Sequence, residues 1–186
     1  CKVEFDDELS RRVFLGICTD TGFFEYGNAV DSLKKASFLI EKGNIDYQKE
    51  FVMPILKSNP WTLKKLHGIL LTNAKKTVIQ GKTVIYSTAS REEYEKHGLN
   101  YSDIRLGVVC LQDVKGADLI FTLTEMPNEI KVSFRSVDYD TTIYTTHFGG
   151  GGHKPASAFV IEKQPIGNVV EKVLKVIEEK GFVKVG

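Results

Sequence analysis

Four consecutive glycines, Gly149, Gly150, Gly151 and Gly152, followed at once by His153 and Lys154, constrain this chain more than any other feature. Glycine loses more backbone freedom on folding than any other residue. A run of four is tolerated where the chain must take positive φ angles or let another group approach closely. Successive N–H groups in such a turn can converge into a concave nest for a phosphate or carboxylate. His153 adds a donor, and a charge when it is protonated. Lys154 adds a fixed charge. The stretch therefore reads as an anion site. A flexible linker is also glycine-rich, but a spacer has no need of His and Lys immediately behind the run.

A second stretch, Thr19-Asp20-Thr21-Gly22, follows a segment that reads as a helix from Asp6 to Cys18, capped by Asp6 or Asp7, with Leu9, Val13 and Ile17 four apart on one face. A carboxylate where a helix stops, followed by a glycine that lets the backbone turn, suits a hard cation such as Mg²⁺ or Mn²⁺. Spacing alone allows an ordinary turn or cap role for Asp20 equally well. A third stretch, Ile130 to Ser136, alternates cleanly. Ile130, Val132 and Phe134 are expected to face a core, and Lys131, Ser133 and Arg135 to face away. Such a face can simply be solvated, or it can bind phosphate, with arginine acting as a bidentate fork.

Taken together the motifs carry a resemblance. Leu15-Gly16-Ile17-Cys18-Thr19-Asp20-Thr21-Gly22-Phe23-Phe24 resembles the last metal-binding motif of the DHH phosphoesterase superfamily, a Gly-Ile-x-Thr-Asp-Thr-Gly-x-Phe pattern. The glycine run with His153 resembles the Gly-Gly-Gly-Gly-His signature of the DHH-associated C-terminal domain, and Val132-Ser133-Phe134-Arg135-Ser136 resembles the Val-Ser-Leu-Arg-Ser motif that precedes it. The order and separation of the motifs fit the family, over nearly the whole chain. The likeness is greatest to the oligoribonuclease and 3′-phosphoadenosine-5′-phosphate phosphatase branch, the nano-RNases.

The resemblance implies an α/β fold: a helical remainder of a DHH domain over residues 1–74, then a small mixed-sheet DHH-associated domain over 75–186. It implies that Asp20 is one of the carboxylates holding a pair of Mn²⁺ ions in the complete enzyme. Arg135, Ser133, Gly149, Gly150, Gly151, Gly152 and His153 would grip a nucleotide or short single-stranded RNA, His153 positioning rather than acting as an acid. Two departures stand out: Ala158 where the family usually has glycine, and Tyr144 where it has alanine, the latter a candidate for altering the pocket. The Asp-His-His motif and the earlier family aspartates are absent from the sequence. One aspartate cannot hold two metals, so the expectation is a C-terminal fragment that opens with Cys1, binds weakly and hydrolyses nothing alone. A cyclic dinucleotide phosphodiesterase and a non-catalytic nucleic-acid-binding module are the rival readings, and a homodimer is compatible with the resemblance.

Composition bounds these readings. With 42% hydrophobic and 26% charged residues the chain has the makings of a packed core. Its 25 basic and 24 acidic residues leave a net charge of +1, so a polyanion must meet a local patch rather than a global field. Cys1, Cys18 and Cys110 are odd in number and lack metal-type spacing, which points to reduced thiols and a cytoplasmic setting. No apolar run reaches the roughly 18 to 20 residues needed to cross a bilayer, no basic-then-apolar leader opens the chain, and no membrane role is expected.

Elsewhere the spacing predicts a helix over 28–42 capped by Asn28, with Ala29, Leu33, Ala36 and Ile40 on one face, and another from Asp46 to Leu56 that Pro54 kinks or ends. A helix after Asn59-Pro60 carries a Leu63, Leu66, Leu70 stripe. A hairpin turns at Gln80-Gly81-Lys82, a capping box opens at Ser90-Arg91-Glu92-Glu93, and a helix is expected over 101–113. Strands are predicted over 118–124, 129–137 and around Phe159-Val160-Ile161, with a last helix over 166–180.

Overall fold

The computed structural model describes residues 4–25, 29–100 and 108–185. Asn28 and most of the helix predicted over 101–113 lie outside them, and residues 108–111 form one turn of 3₁₀ helix. The chain divides into two compact units, Cys1–Asn59 and Pro60–Gly186.

The first unit is helical. Helix α1 (Asp7–Asp20) is capped by the Asp6 carboxylate, which accepts from the Leu9 N–H at 2.7 Å. It packs on α2 (Ala29–Lys42), and a wide helical segment follows at Gln48–Leu56, with Pro54 inside it. There the Lys57 N–H reaches back five residues to the Val52 carbonyl, a looser winding than an α-helix. The buried face of α1 is Ser10, Phe14 and Cys18, one residue round from the expected Leu9, Val13, Ile17 row. Both rows have helical spacing, so packing decides. Phe14 sets its ring edge-on to Tyr47 and Phe51, at 5.8 and 4.7 Å between centroids. Small Ser10 allows close approach to Gly43, where a Cβ would sit 2.8 Å from that of Ser10. Val13 and Ile17 instead line an open groove of about 340 Å³ with Phe5, Phe38 and Leu39.

The second unit is a six-stranded mixed sheet in the order β1-β2-β3-β4-β6-β5, with helices. Helix α3 (Trp61–Thr72) leads into it, then the hairpin of β1 (Lys75–Ile79) and β2 (Lys82–Ala89), whose two turn residues Gln80 and Gly81 both have positive φ. Helix α4 (Arg91–Lys96) starts with a complete capping box between Ser90 and Glu93. Strand β3 (Leu119–Glu125) runs parallel to β2, and β4 (Glu129–Arg135) returns antiparallel. A single-turn helix α5 (Thr142–Thr145) and a 3₁₀ turn (Thr146–Phe148) precede β5 (Gly151–His153), β6 (Ala156–Glu162) and α6 (Ile166–Lys180).

The division between units falls at 59/60 and not at the expected 74/75. Leu63, Leu66 and Leu70 of α3 are buried with Ala89, Tyr94, Leu99 and Met126, and Ser87 Oγ donates to the Leu70 carbonyl at 2.6 Å, so α3 folds with the sheet. The main core lies on the opposite face. Val84, Leu119, Phe121, Leu123, Ile130, Val132, Phe134 and Phe159 meet Val169, Val173, Val176 and Ile177 of α6 there. Each buried aliphatic side chain contributes about 1.5–3 kcal/mol as an upper bound. Tyr86, Phe121, Phe134 and Tyr144 form a column of stacked rings at 5.2, 5.3 and 5.6 Å. Among the described residues no helix is long and apolar enough to cross a membrane.

Candidate functional site

Strand register brings four of the expected residues, Ser133, Arg135, Gly151 and His153, onto one face. Directly paired residues on neighbouring strands project to the same side of a sheet. Arg135 pairs with Ala156, which pairs with His153; one rung along, Ser133 pairs with Ala158, which pairs with Gly151. Lys131 and Val160 form the next rung. Two rows thus face each other across small residues: Lys131, Ser133 and Arg135 on β4, and Gly151 and His153 on β5, over a floor of Ala156 and Ala158. Neighbouring strands are about 4.8 Å apart, so Arg135 and His153 are roughly 10 Å apart at Cα. Side chains of their length can close on one anion or span a nucleotide from that separation.

This shelf is accessible. His153 and Gly151 are exposed, and Arg135, Ser133, Lys131, Ala156 and Ala158 are half-buried. Arg135 Nη1 donates to the Phe134 carbonyl at 2.7 Å, which anchors one edge of the guanidinium. Charge is graded along the shelf: Glu129 and Glu162 pair at one end, and Arg135 and His153 mark the other. An anionic ligand is therefore drawn to the Arg135 end. The small floor and the charge gradient were not foreseen from the sequence, whereas Lys131 was expected on this face with Ser133 and Arg135. The alternation of β4 was the available signal, but their assembly depends on which strands pair.

The glycine run is not a nest of four converging donors. The Gly149 and Gly150 N–H groups already donate to the Thr146 and Thr145 carbonyls, at 3.1 and 2.9 Å. Gly151 and Gly152 belong to the edge strand β5. Three of the four glycines have a structural reason. Gly149 ends the 3₁₀ turn with φ of 76°. A Cβ on Gly150 would lie 2.4 Å from the Ala158 carbonyl oxygen, and one on Gly152 would lie 2.6 Å from that of Ala156. These glycines let β5 press against β6. At Gly151 a Cβ would meet nothing within 4 Å and φ lies outside the left-handed region, so the fold does not require glycine there. Tyr144 is not near this shelf. It is fully buried in the core face, its hydroxyl donates to the Gly181 carbonyl at 2.7 Å, and burial pushes its phenol upward.

Asp20 ends α1 in the first unit and is exposed. Helix carbonyls place roughly half a negative charge at a C-terminus, so a carboxylate there gains from a cation. No basic residue occupies the last turn of α1. Behind Asp20 the backbone is strained: Gly22, Phe23 and Phe24 take φ of 56°, 58° and 73°. Each such non-glycine residue costs on the order of 1–3 kcal/mol. Thr21 Oγ1 steadies it by donating to the Ile17 carbonyl and accepting from the Phe24 N–H. Among the described residues, however, no three His, Cys, Asp or Glu side chains gather as a metal-ligand group. These residues do not fit a two-ion centre, and Asp20 supplies one carboxylate at most.

No protein-family model matches the chain. It is 29% identical over 175 residues to an A-adding tRNA nucleotidyltransferase of Aquifex aeolicus, covering 91% of this chain and 20% of that protein. It is 27% identical over 163 residues to the uncharacterized MG371 homolog of Mycoplasma pneumoniae, covering 86% of this chain and 47% of that one. Among solved structures, an exopolyphosphatase-related protein of Bacteroides fragilis superposes with a TM-score of 0.78 at 24% identity, over 94% of this chain and 52% of its own. That likeness establishes the mixed α/β fold. The chain spans a fifth to a half of the length of these proteins.

Proposed function

We propose that this chain is the nucleotide-gripping part of a metal-dependent phosphoesterase of the DHH type, acting on short RNA or on 3′-phosphoadenosine-5′-phosphate. The observation that carries the reading is the partly exposed shelf, with Arg135 and His153 at one end of a floor small enough for a ligand to lie on. Arg135 would take a phosphate as a fork and Ser133 would donate beside it. His153 would hold the ligand's far side from the edge strand. His153 carries the one aromatic ring among the residues of these shelf rungs, so grip comes mainly from the charged end of the ligand rather than from base stacking. Mn²⁺ would activate water for attack on phosphorus. Asp20 is the residue here that would contribute to it, and further ligands must come from elsewhere.

Titration calorimetry of the chain with 3′-phosphoadenosine-5′-phosphate and with a diadenylate tests the grip. Binding should weaken about ten- to hundredfold in Arg135→Ala, the worth of a charge-assisted hydrogen bond. Arg135→Lys should recover little, since a point charge does not replace a fork. Equal affinity in Arg135→Ala and the parent chain defeats the reading.

A second reading, an RNA-end-binding module without catalysis, is favoured by the relative that carries a tRNA nucleotidyltransferase name. The two part over turnover in the longer protein. Mn²⁺-dependent release of mononucleotides supports the phosphoesterase, and binding of RNA 3′ ends without release supports the module. The isolated chain should release none; cleavage by it would show that a complete centre is present after all.

A further inference from the structure

The turn between β5 and β6 carries His153 and Lys154, and it is held from beneath by one loop. Thr141 is fully buried, and both its N–H and its Oγ1 reach the Lys154 carbonyl, at 2.6 and 2.9 Å. Its Oγ1 also lies 2.7 Å from Ser157 Oγ, itself buried. A hydroxyl has one proton, so if Thr141 donates to Lys154, Ser157 donates to Thr141. The chain of bonds runs Ser157 to Thr141 to the Lys154 carbonyl. From the same loop the Ser136 N–H donates to the next carbonyl, Pro155, at 3.0 Å.

We infer that Thr141 is a positioning residue of the shelf: through the Lys154 carbonyl it fixes the turn, and thereby the place of His153 opposite Arg135. The inference rests on the nucleotide-gripping reading above. Gly152, immediately before His153, has φ of 143° and no side chain to restrain it. Residues 151–153 lie on the sheet's outer edge, paired on one side by β6. Without the Thr141 anchor, the His153 end of the shelf is held by its pairing with β6 and by the Ser136 N–H bond to Pro155. With it, two successive carbonyls beyond His153 are clamped to the buried Ser136 and Thr141 of one loop. A ligand bridging Arg135 and His153 then meets a gap of set width, and ordering cost at binding falls.

The test uses Thr141→Val, Thr141→Ser, Ser157→Ala and the Thr141→Val/Ser157→Ala pair in the full chain. Each is read by thermal unfolding, by amide hydrogen exchange over 151–158, and by calorimetry with 3′-phosphoadenosine-5′-phosphate. Thr141→Val should speed exchange over 151–154 and weaken binding about tenfold, equivalent to about 1.4 kcal/mol. Thr141→Ser, which keeps the hydroxyl, should restore both. Ser157→Ala leaves the Thr141 to Lys154 bond in place and should hold affinity within about twofold, the inference requiring far less than a tenfold loss here.

The double variant removes both hydroxyls, so it should regain stability over Thr141→Val while affinity stays low. If Thr141→Val does not fold, the double variant carries the test. Affinity that simply tracks melting temperature across the set overturns positioning in favour of a structural role. Thr141→Val keeps the backbone N–H bond to the Lys154 carbonyl, so unchanged exchange in it overturns the hydroxyl's part in the clamp whether or not any ligand binds. If the parent chain binds no nucleotide while exchange responds as stated, the gripping reading fails and the clamp stands.

Discussion

Gly150 and Gly151 are neighbours of identical chemistry, and the structure assigns them opposite roles that Ala substitution separates. At Gly150 a Cβ would sit 2.4 Å from both the Ala158 carbonyl oxygen and the Phe159 Cβ, and 2.8 Å from the Phe159 Cα. Two of these are backbone atoms of a paired strand and the third is fixed to that backbone, so none can swing aside. Overpacking costs about 1–3 kcal/mol, and immovable neighbours place Gly150→Ala in the upper half of that range. A unit of this size loses several degrees of melting temperature per kcal/mol, so a fall of roughly 10 °C is expected. Gly151→Ala meets no atom within 4 Å and no forbidden φ. Replacing glycine at such a position leaves stability unchanged or raises it by about 0.4–1 kcal/mol, by restricting the unfolded chain. The same methyl group projects onto the ligand side of the shelf beside Ala158 and Ser133, and should weaken nucleotide binding about tenfold. Differential scanning calorimetry and titration calorimetry on the two variants decide it. A Gly150→Ala protein as stable as the parent, or a Gly151→Ala protein that melts early, would refute the division of labour argued here.

Further outcomes are expected. Burial pushes the Cys110 thiol up to about 11, so the native chain holds that proton after the unfolded chain has lost it. Stability from this group is present below about pH 9 and lost as pH rises towards about 11; chemical denaturation across that window should show a decline that Cys110→Ala flattens. The native thiol should also react slowly with a disulfide reagent at pH 8, against rapid reaction in denaturant. Ser90→Ala removes the hydroxyl that accepts from Glu93 N–H and donates to its carboxylate, and should cost about 1 kcal/mol in urea melts of the sheet unit. Loss of more than a few kcal/mol there would mean that the cap bears on more than α4.

Local elements were legible because their signals are local. The Gln80-Gly81 turn, the Ser90 to Glu93 box, the alternation of β4 and the 166–180 helix each depend on residues a few positions apart. The inward and outward faces of β4 followed from period two alone, and Arg135 with Ser133 could be placed on one face before any partner strand was known. Less was legible where two local patterns competed. On α1 the rows Leu9, Val13, Ile17 and Ser10, Phe14, Cys18 are both helical stripes, and Phe14 wins through the rings of Tyr47 and Phe51 from a segment more than 30 residues away. The α3 stripe was equally clear as a helix face, yet nothing in its spacing said that its partners would be Ala89, Tyr94 and Met126.

The sequence by itself determined that this chain would present a glycine run ending in His153 and a strand carrying Arg135, since backbone freedom and side-chain alternation are properties of neighbouring residues. Tertiary structure decided what those glycines are for. Pairing of β5 with β6 makes Gly150 and Gly152 contact points and leaves Gly151 open, and insertion of β6 between β4 and β5 sets Arg135 and His153 on one face. Strand order is fixed by the burial of Phe134, Phe159 and the α6 valines in one core, a sum over residues far apart in the chain that no short stretch encodes.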